Sequence, residues 1–403
     1  MQEAAICKTS IHTCTTDTKN RLPGKIAILG TLPPIRGLSS YCLELSVALA
    51  DIIEIGFISF HNIYPAFIYP GGKLDEDRTF PPFNHPYLKV RRRLTWYNPV
   101  TWLREGIDSD KELLHVQWWS LPLFPVFLTI CASFKARGKP VVITVHNVMP
   151  HEKSRVYQKL SSILFKLADH FIVHTRLNKK QLTTYYGIQP EMVSVIPHGT
   201  LDFFVKKDLD CDLIRSEMGF NSRNKVLLLF GSIRQYKGID TALKAFAKIV
   251  DKIPEARLLI AGKLWQSWQP YKRLISDLGI ERFVSTHLEY IPADDINRYF
   301  STADMVLLPY HHFDSQSGAG STAVAFRKPL IVSNVGGLPD LVNDQRLVVP
   351  PMNSTALADT IINCLDTPGQ LEDMAADADI VAKKMMWPDI AVKTCTIYRN
   401  LLD

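Results

Sequence analysis

Short apolar runs alternate with helix-like stretches along nearly the whole chain, and the series begins twice. The first series opens with KIAILG at Lys25–Gly30, followed by the amphipathic stretch Gly37–Ala50. Strand-like runs recur at Leu113–Val116, Val141–His146 (VVITVH), Phe171–His174 (FIVH) and Val193–Pro197 (VSVIP). Residues 201–224 are polar and turn-rich, and a second series starts at Val226–Gly231 (VLLLFG). It continues through a helix at Gly238–Val250, RLLIAG at Arg257–Gly262, and strand-like His287–Ile291, Met305–Pro309 and Pro329–Ser333. Apolar runs this short, continuous and separated by helices, belong to parallel sheets covered on both faces. The expected fold is therefore α/β, with two doubly wound, Rossmann-like domains. Ligands bind outside the carboxyl ends of such strands, so the cleft between two facing halves is the expected site. The expected boundaries are a mobile polar tail over 1–22, a first domain over 23–205 and a second over 206–385.

Composition removes several classes. With 46% hydrophobic and 21% charged residues the chain is neither disordered nor fibrous. Its seven cysteines, at 7, 14, 42, 131, 211, 364 and 395, form no zinc spacing and suggest free thiols in a reducing compartment. A cytoplasmic location is expected, since the first twenty residues lack an apolar signal core. Charge is uneven: residues 1–200 carry a net +8 and residues 201–403 a net −2. A basic half suits an anionic membrane or nucleic acid. No nucleic-acid module is recognisable, and no nucleic-acid partner is expected. The most apolar stretch, Trp118–Phe134, has 17 residues and two internal prolines. That is short for a spanning helix, and a buried or surface-docked helix is expected. Lys89–Arg104 (KVRRRLTWYNPVTWLR) interleaves bases with Trp96, Tyr97 and Trp102. It reads either as a peripheral seat on an anionic membrane or as a solvated loop with its aromatics packed inward.

Three segments of the second half carry candidate chemistry. Gly231–Gly238 (GSIRQYKG) follows a strand and enters a helix, and Arg234 and Lys237 are three apart. Two cations at a helix entrance suit a diphosphate; the alternative is a glycine turn with two solvated bases. Asp314–Ser321 (DSQSGAGS) opens another helix with small residues that let a ligand approach the backbone. It is not a Walker A loop, and the first domain lacks G-x-G-x-x-G. Gly336–Gly337 is either a tight turn or a ligand-lining loop.

Taken in order, Gly37-Leu-Ser-Ser-Tyr41, the His146 strand end, Ile196-Pro-His-Gly199, Gly231…Arg234…Lys237-Gly238 and Asp314…Pro329…Gly336-Gly337 resemble the retaining GT-B glycosyltransferases of family four. Trp387-Pro-Asp-Ile-Ala391…Tyr398 resembles that family's final helix, which implies that 386–403 crosses back onto the first domain. The resemblance implies a nucleotide-sugar donor (UDP- or GDP-linked) and a saccharide or lipid-linked acceptor, as in bacterial-type polysaccharide or glycoconjugate synthesis. It implies front-face attack, with the leaving phosphate helping to deprotonate the acceptor. Neither a metal nor any other cofactor is expected, and no D-x-D suited to a metal stands out. Arg234 and Lys237 would hold the donor diphosphate as it leaves. The amides of Gln316, Ser317 and Gly318 would meet sugar or phosphate. Gly37 and Gly231 would line the diphosphate, and His146 would sit near the donor sugar. Tyr290 and Ile291 would contact the base or simply pack in the core.

The family's two loop glutamates, eight positions apart, fall at Asp314 and Thr322 when counted back from Pro329. Asp314 can still meet sugar hydroxyls, whereas Thr322 offers the ribose one weaker contact. His151 and Glu152 would bind a substrate or cap a helix; His198 would lie in an interdomain turn, and His311 and His312 beside the loop. Two rival readings remain: a nucleotide-sugar epimerase on the same architecture, and a catalytically silent nucleotide-binding protein.

Overall fold

A computed structural model of the chain describes residues 24–63, 76–148, 155–206 and 210–403. The tail over 1–22 and the pair His151 and Glu152 lie outside the described residues. Seven strands make the first sheet: β1 (Lys25–Leu29), β2 (Glu54–Asn62), β3 (Leu88–Thr95), β4 (Leu113–Trp118), β5 (Val141–Val145), β6 (His170–Val173) and β7 (Val193–Val195). Six make the second: β8 (Lys225–Phe230), β9 (Ala256–Ala261), β10 (Val284–His287), β11 (Met305–Leu308), β12 (Leu330–Ser333) and β13 (Val348–Val349). Their orders are β3-β2-β1-β4-β5-β6-β7 and β10-β9-β8-β11-β12-β13. Every pairing within both sheets is parallel.

Central strands such as VVITV in β5 and MVLL in β11 are buried along their whole length, as helices on both faces require. In each sheet the chain order reverses between two neighbours, β1 and β4 in the first and β8 and β11 in the second. The loops leaving such a pair diverge to opposite faces and open a crevice at their carboxyl ends. The helix Trp387–Leu402 leaves the second domain and packs on the first, adding Trp387, Ile390, Ala391, Cys395, Ile397 and Tyr398 to its core.

Three segments depart from the expectations. His287–Ile291 is not a strand: β10 ends at His287, and residues 288–292 run as irregular chain to the helix Ala293–Thr302. Pro292 stands at that helix's N-cap, and the residue before a proline resists helical geometry. Lys89–Arg104 is not a loop: it forms most of the edge strand β3, a turn, and the start of the helix Pro99–Ile107, whose N-cap Asn98 accepts from the Val100 N–H. Trp118–Phe134 splits into the end of β4 and the helix Phe124–Lys135, with Val126, Phe127, Ile130 and Phe134 buried. Among the described residues no helix is long and apolar enough to cross a membrane.

Candidate functional site

The crevice of the second sheet lies where β8 and β11 end, and the two cationic candidates sit there. Gly231 follows β8 with φ +105°, and a Cβ at that position would stand 2.9 Å from Lys237 Nζ. Gly238 begins the next helix in the left-handed region (φ +69°), with the Pro309 carbonyl directly above it. Only glycine lets the chain turn this tightly, and the turn swings Lys237 back over the strand end. Lys237 Nζ donates to Tyr310 Oη (2.9 Å) and the Phe230 carbonyl (3.4 Å). Burial, reinforced by Arg234, lowers its proton affinity, against the pull of Tyr236. Arg234 lies flat on Trp265, its guanidinium carbon 3.8 Å from the ring centroid. Stacking leaves the guanidinium edge available for planar, bidentate anion binding.

The loop after β11 meets the same point. Tyr310 Oη is 3.0 Å from Ser317 Oγ, and Ser317 caps the helix Gly318–Ala325 by accepting from the Gly320 N–H (3.3 Å). A Cβ on Gly318 would touch nothing within 4 Å, so the backbone there faces open space. Lys237, Tyr310 and Ser317 therefore form one polar chain beneath that opening. Gln316 turns the other way and accepts from the His198 N–H of the first domain (2.6 Å). Asp314 offers its carbonyl to Asn178 Nδ2 at 2.7 Å, a second bond between domains. Gly336 and Gly337 brace this loop: a Cβ on Gly337 would fall 2.5 Å from Thr175 and 2.9 Å from Gln316. The glycine pair thus underlies the loop rather than facing an open cleft. Thr322 is buried, and its hydroxyl donates to the Gly318 carbonyl (2.9 Å). The O–H is spent inside the helix, leaving only lone pairs for any ligand.

Across the cleft, the first domain brings four histidines together. His115 sits inside β4, His146 and His174 follow β5 and β6, and His198 follows β7. The rings of His146, His174 and His198 surround Tyr41 at centroid distances of 4.8, 5.2 and 4.9 Å. His146 does not present a free nitrogen to the cleft. Its Nε2 faces Gln117 Oε1 (3.0 Å) and its Nδ1 faces His174 Nε2 (3.2 Å). Burial, then the neighbouring His174, His198 and His115, holds His146 well below the usual imidazole range. Burial pushes His115 and His174 down to about 3 and His198 to about 4. His198 touches the second domain through Ser321 Oγ (3.4 Å). His311 sits farther off, 2.9 Å from Thr241 Oγ1 and 3.3 Å from Asp240, and His312 is exposed.

Tyr290 and Ile291 separate. Ile291 is buried in the core of the second domain. Tyr290 is clasped by the first domain: its hydroxyl donates to Asp77 (2.6 Å), and the Arg36 guanidinium lies 3.5 Å over its ring. Gly37, next to Arg36, is exposed with φ +91° and open space around it. Sequence reasoning missed Tyr310, Gln117 and the Asp77 clasp. A histidine at or near the ends of successive apolar runs was the one available signal for the cluster.

The comparisons with known proteins match this layout. The family model described as Glycosyltransferase Family 4 matches residues 35–200, and the one described as Glycosyl transferases group 1 matches residues 210–380. A D-inositol 3-phosphate glycosyltransferase of Corynebacterium aurimucosum is 25% identical over 313 residues, covering 73% of this chain and 73% of that one. The protein of the same name from Saccharomonospora viridis is 26% identical over 315 residues, covering 72% and 70%. In fold, the chain resembles Anabaena HepE in complex with UDP and glucose, with a TM-score of 0.70 and 16% identity over 94% of this chain and 100% of that one. It also resembles the sucrose-phosphate synthase of Thermosynechococcus elongatus, with a TM-score of 0.71 and 19% identity over 94% and 99%. The two family models match one domain each, in order, and the paired parallel sheets are those of the GT-B fold; the chain belongs to the GT-B glycosyltransferases of family four.

Proposed function

We propose that this glycosyltransferase is retaining and metal-independent. Its donor is a UDP- or GDP-sugar, and its acceptor is a saccharide or lipid-linked saccharide of polysaccharide or glycoconjugate synthesis. The observation that carries the reading is the chain Lys237–Tyr310–Ser317 at the crevice of the second sheet, with Arg234 stacked beside it. A nucleoside diphosphate leaving a sugar gains negative charge as the glycosidic bond breaks. Fixed cations and a capped helix start stabilise that charge most in the transition state. The UDP held by Anabaena HepE, a protein of the same fold, supports a uridine donor.

Helix Pro99–Ile107 supports a membrane-proximal acceptor. Val100, Leu103 and Ile107 are exposed along one face, with Tyr97 just before them. The nearby bases are less free than the sequence suggests. Arg91 and Arg93 lie 3.7 and 3.9 Å from the buried Glu105, and Arg104 lies 3.7 Å from Asp108. The seat therefore rests more on the apolar face than on charge.

The test is a panel of UDP, GDP and their sugar conjugates, read first by thermal shift. Ligand at 100 times its dissociation constant adds about 2.7 kcal/mol of stability. The conjugate that binds is then offered to lipid-linked saccharides and to D-inositol 3-phosphate, with and without EDTA. Transfer with retained anomeric configuration, unaffected by EDTA, is the expected result. Conversion of the donor to an isomer without acceptor establishes the epimerase instead. Binding without any turnover establishes the silent protein.

A further inference from the structure

The first domain contains an unbroken line of polar groups running through its interior. Tyr398 Oη lies 2.6 Å from His115 Nδ1, and Gln117 Nε2 lies 3.2 Å from His115 Nε2. Gln117 Oε1 is 3.0 Å from His146 Nε2, His146 Nδ1 is 3.2 Å from His174 Nε2, and His174 Nδ1 is 3.0 Å from the Ile196 carbonyl. His115 and Gln117 are fully buried, and His146 and His174 nearly so.

The donors and acceptors along this line constrain its protons. The Ile196 carbonyl only accepts, so His174 carries a proton on Nδ1. With the amide oxygen of Gln117 on His146, His146 must carry a proton on Nε2. If both rings are neutral, no proton is left between His146 Nδ1 and His174 Nε2, and two lone pairs face each other. This amide orientation therefore demands one extra proton on the pair. Rotating the amide removes the demand. The Gln117 NH2 then donates to His146 Nε2, His146 Nδ1–H to His174, and His174 Nδ1–H to Ile196. At the other end His115 Nε2–H is shared between Gln117 Oε1 and the Thr144 hydroxyl oxygen, 2.7 Å from that nitrogen, and Tyr398 O–H donates to His115 Nδ1. Every link is satisfied with neutral rings. The two amide orientations thus correspond to two protonation states that differ by one proton.

We propose that Gln117, His146 and His174 form a one-proton switch: neutral with the amide rotated while the cleft is empty, and charged, in the amide orientation described above, when an anionic donor binds in the cleft. The groups facing the pair are His115, His198, Tyr41 and Tyr398, with Trp387 beside Tyr41. No carboxylate is bonded to any of the four imidazoles among the described residues, so nothing fixes a cation there in advance. The switch is coupled to the donor loop by two contacts: Gln316 accepts from the His198 N–H, and Thr175 packs on Gly337. An anion at the loop of Gln316 and Gly318, which His198 touches, raises the proton affinity of the buried imidazoles near it. Gln117 and His174 are positioning residues in this scheme; they act on the donor through the ring of His146. The coupling rests on the proposed donor site, whereas the switch itself does not.

The test combines nitrogen-15 NMR of the histidine side chains with calorimetry on the full chain. In the free protein, acidification should protonate His146 and His174 as a unit, taking up a single proton in one step. Independent titration of the two rings overturns the switch. UDP or GDP binding, measured in buffers of different ionisation enthalpy, should take up one proton and abolish the lone-pair nitrogen signal of one ring. Gln117→Glu offers acceptors only, so it should charge the pair beforehand and lose the uptake. His198→Gln should keep it. Uptake that survives Gln117→Glu, or vanishes in His198→Gln, places the proton elsewhere and refutes the proposal. If neither nucleotide binds, the donor-site reading falls, and the NMR titration decides the switch alone.

Discussion

Asp77 ties the two domains together, and removing it should open them. One carboxylate oxygen accepts from the Thr79 N–H (2.9 Å) and O–H (2.6 Å). The other accepts from the Tyr290 O–H (2.6 Å) and from the N–H of Ala293 (3.0 Å), the first residue of the helix Ala293–Thr302. A carboxylate of the first domain therefore caps a helix of the second, where the dipole favours negative charge. Hydrogen bonds to a charged group contribute about 1.5–3 kcal/mol each; since both second-domain donors regain water on opening, the net loss in Asp77→Ala should be about 2–4 kcal/mol of closed-state stability. That shifts the closed-to-open ratio roughly 30- to 700-fold. Small-angle scattering should report a larger radius of gyration, and the donor KM should rise. Four hydrogen bonds outweigh the opposing effect of burial and hold the Asp77 carboxyl below its usual value. A depressed folded pKa means the contribution is complete above the unfolded value near 3.9 and is lost as pH falls through the folded value. The difference between wild type and Asp77→Asn should be flat from about pH 5 upward and shrink below about pH 4. An unchanged scattering profile and unchanged donor KM in Asp77→Ala would refute the clasp.

Three further outcomes follow from the site. Arg234→Ala and Lys237→Ala should each lose about 2–4 kcal/mol of transition-state stabilisation, read as kcat/KM for the donor; wild-type rates in both exclude them from the reaction. Gly238→Ala should lose more than about 2 kcal/mol in chemical denaturation, because a left-handed backbone and the Pro309 carbonyl both oppose a Cβ. Replacing Val100 and Leu103 together with Asp should abolish co-sedimentation with anionic vesicles while leaving thermal stability within about 0.5 kcal/mol, since both side chains are exposed.

The double series of apolar runs reveals the architecture because buried parallel strands must be apolar on both faces. β2 fits that pattern through its buried core IGFISF, although the series of runs above does not include it; β3 is an edge strand rich in arginine, so its sequence imitates a surface segment. Lys237 and Arg234 are legible because glycines bracket them at a strand end. Tyr310 is not, because its role depends on β11 lying beside β8, a pairing between residues far apart in sequence. Gln117 is hidden for a similar reason. A lone glutamine in a strand has no pattern, and its meaning appears only when β5 brings His146 against it. The bond from Tyr290 to Asp77 has no sequence signal either, because it joins residues of different domains beyond the end of β10 at His287.

The helix Trp387–Leu402 constrains the order of events during synthesis. Its Tyr398 is hydrogen-bonded to His115, and its Trp387 donates to the Thr200 carbonyl (2.6 Å), so the first domain's core stays incomplete until that helix exists. At about 5–20 residues per second, it emerges roughly 20–70 s after β1. Through that interval the first sheet waits with an uncovered flank while the second domain can finish ahead of it. The domain translated first is thereby the one completed last, and a nascent chain stalled before Trp387 would be a substrate for chaperones rather than half of a working enzyme.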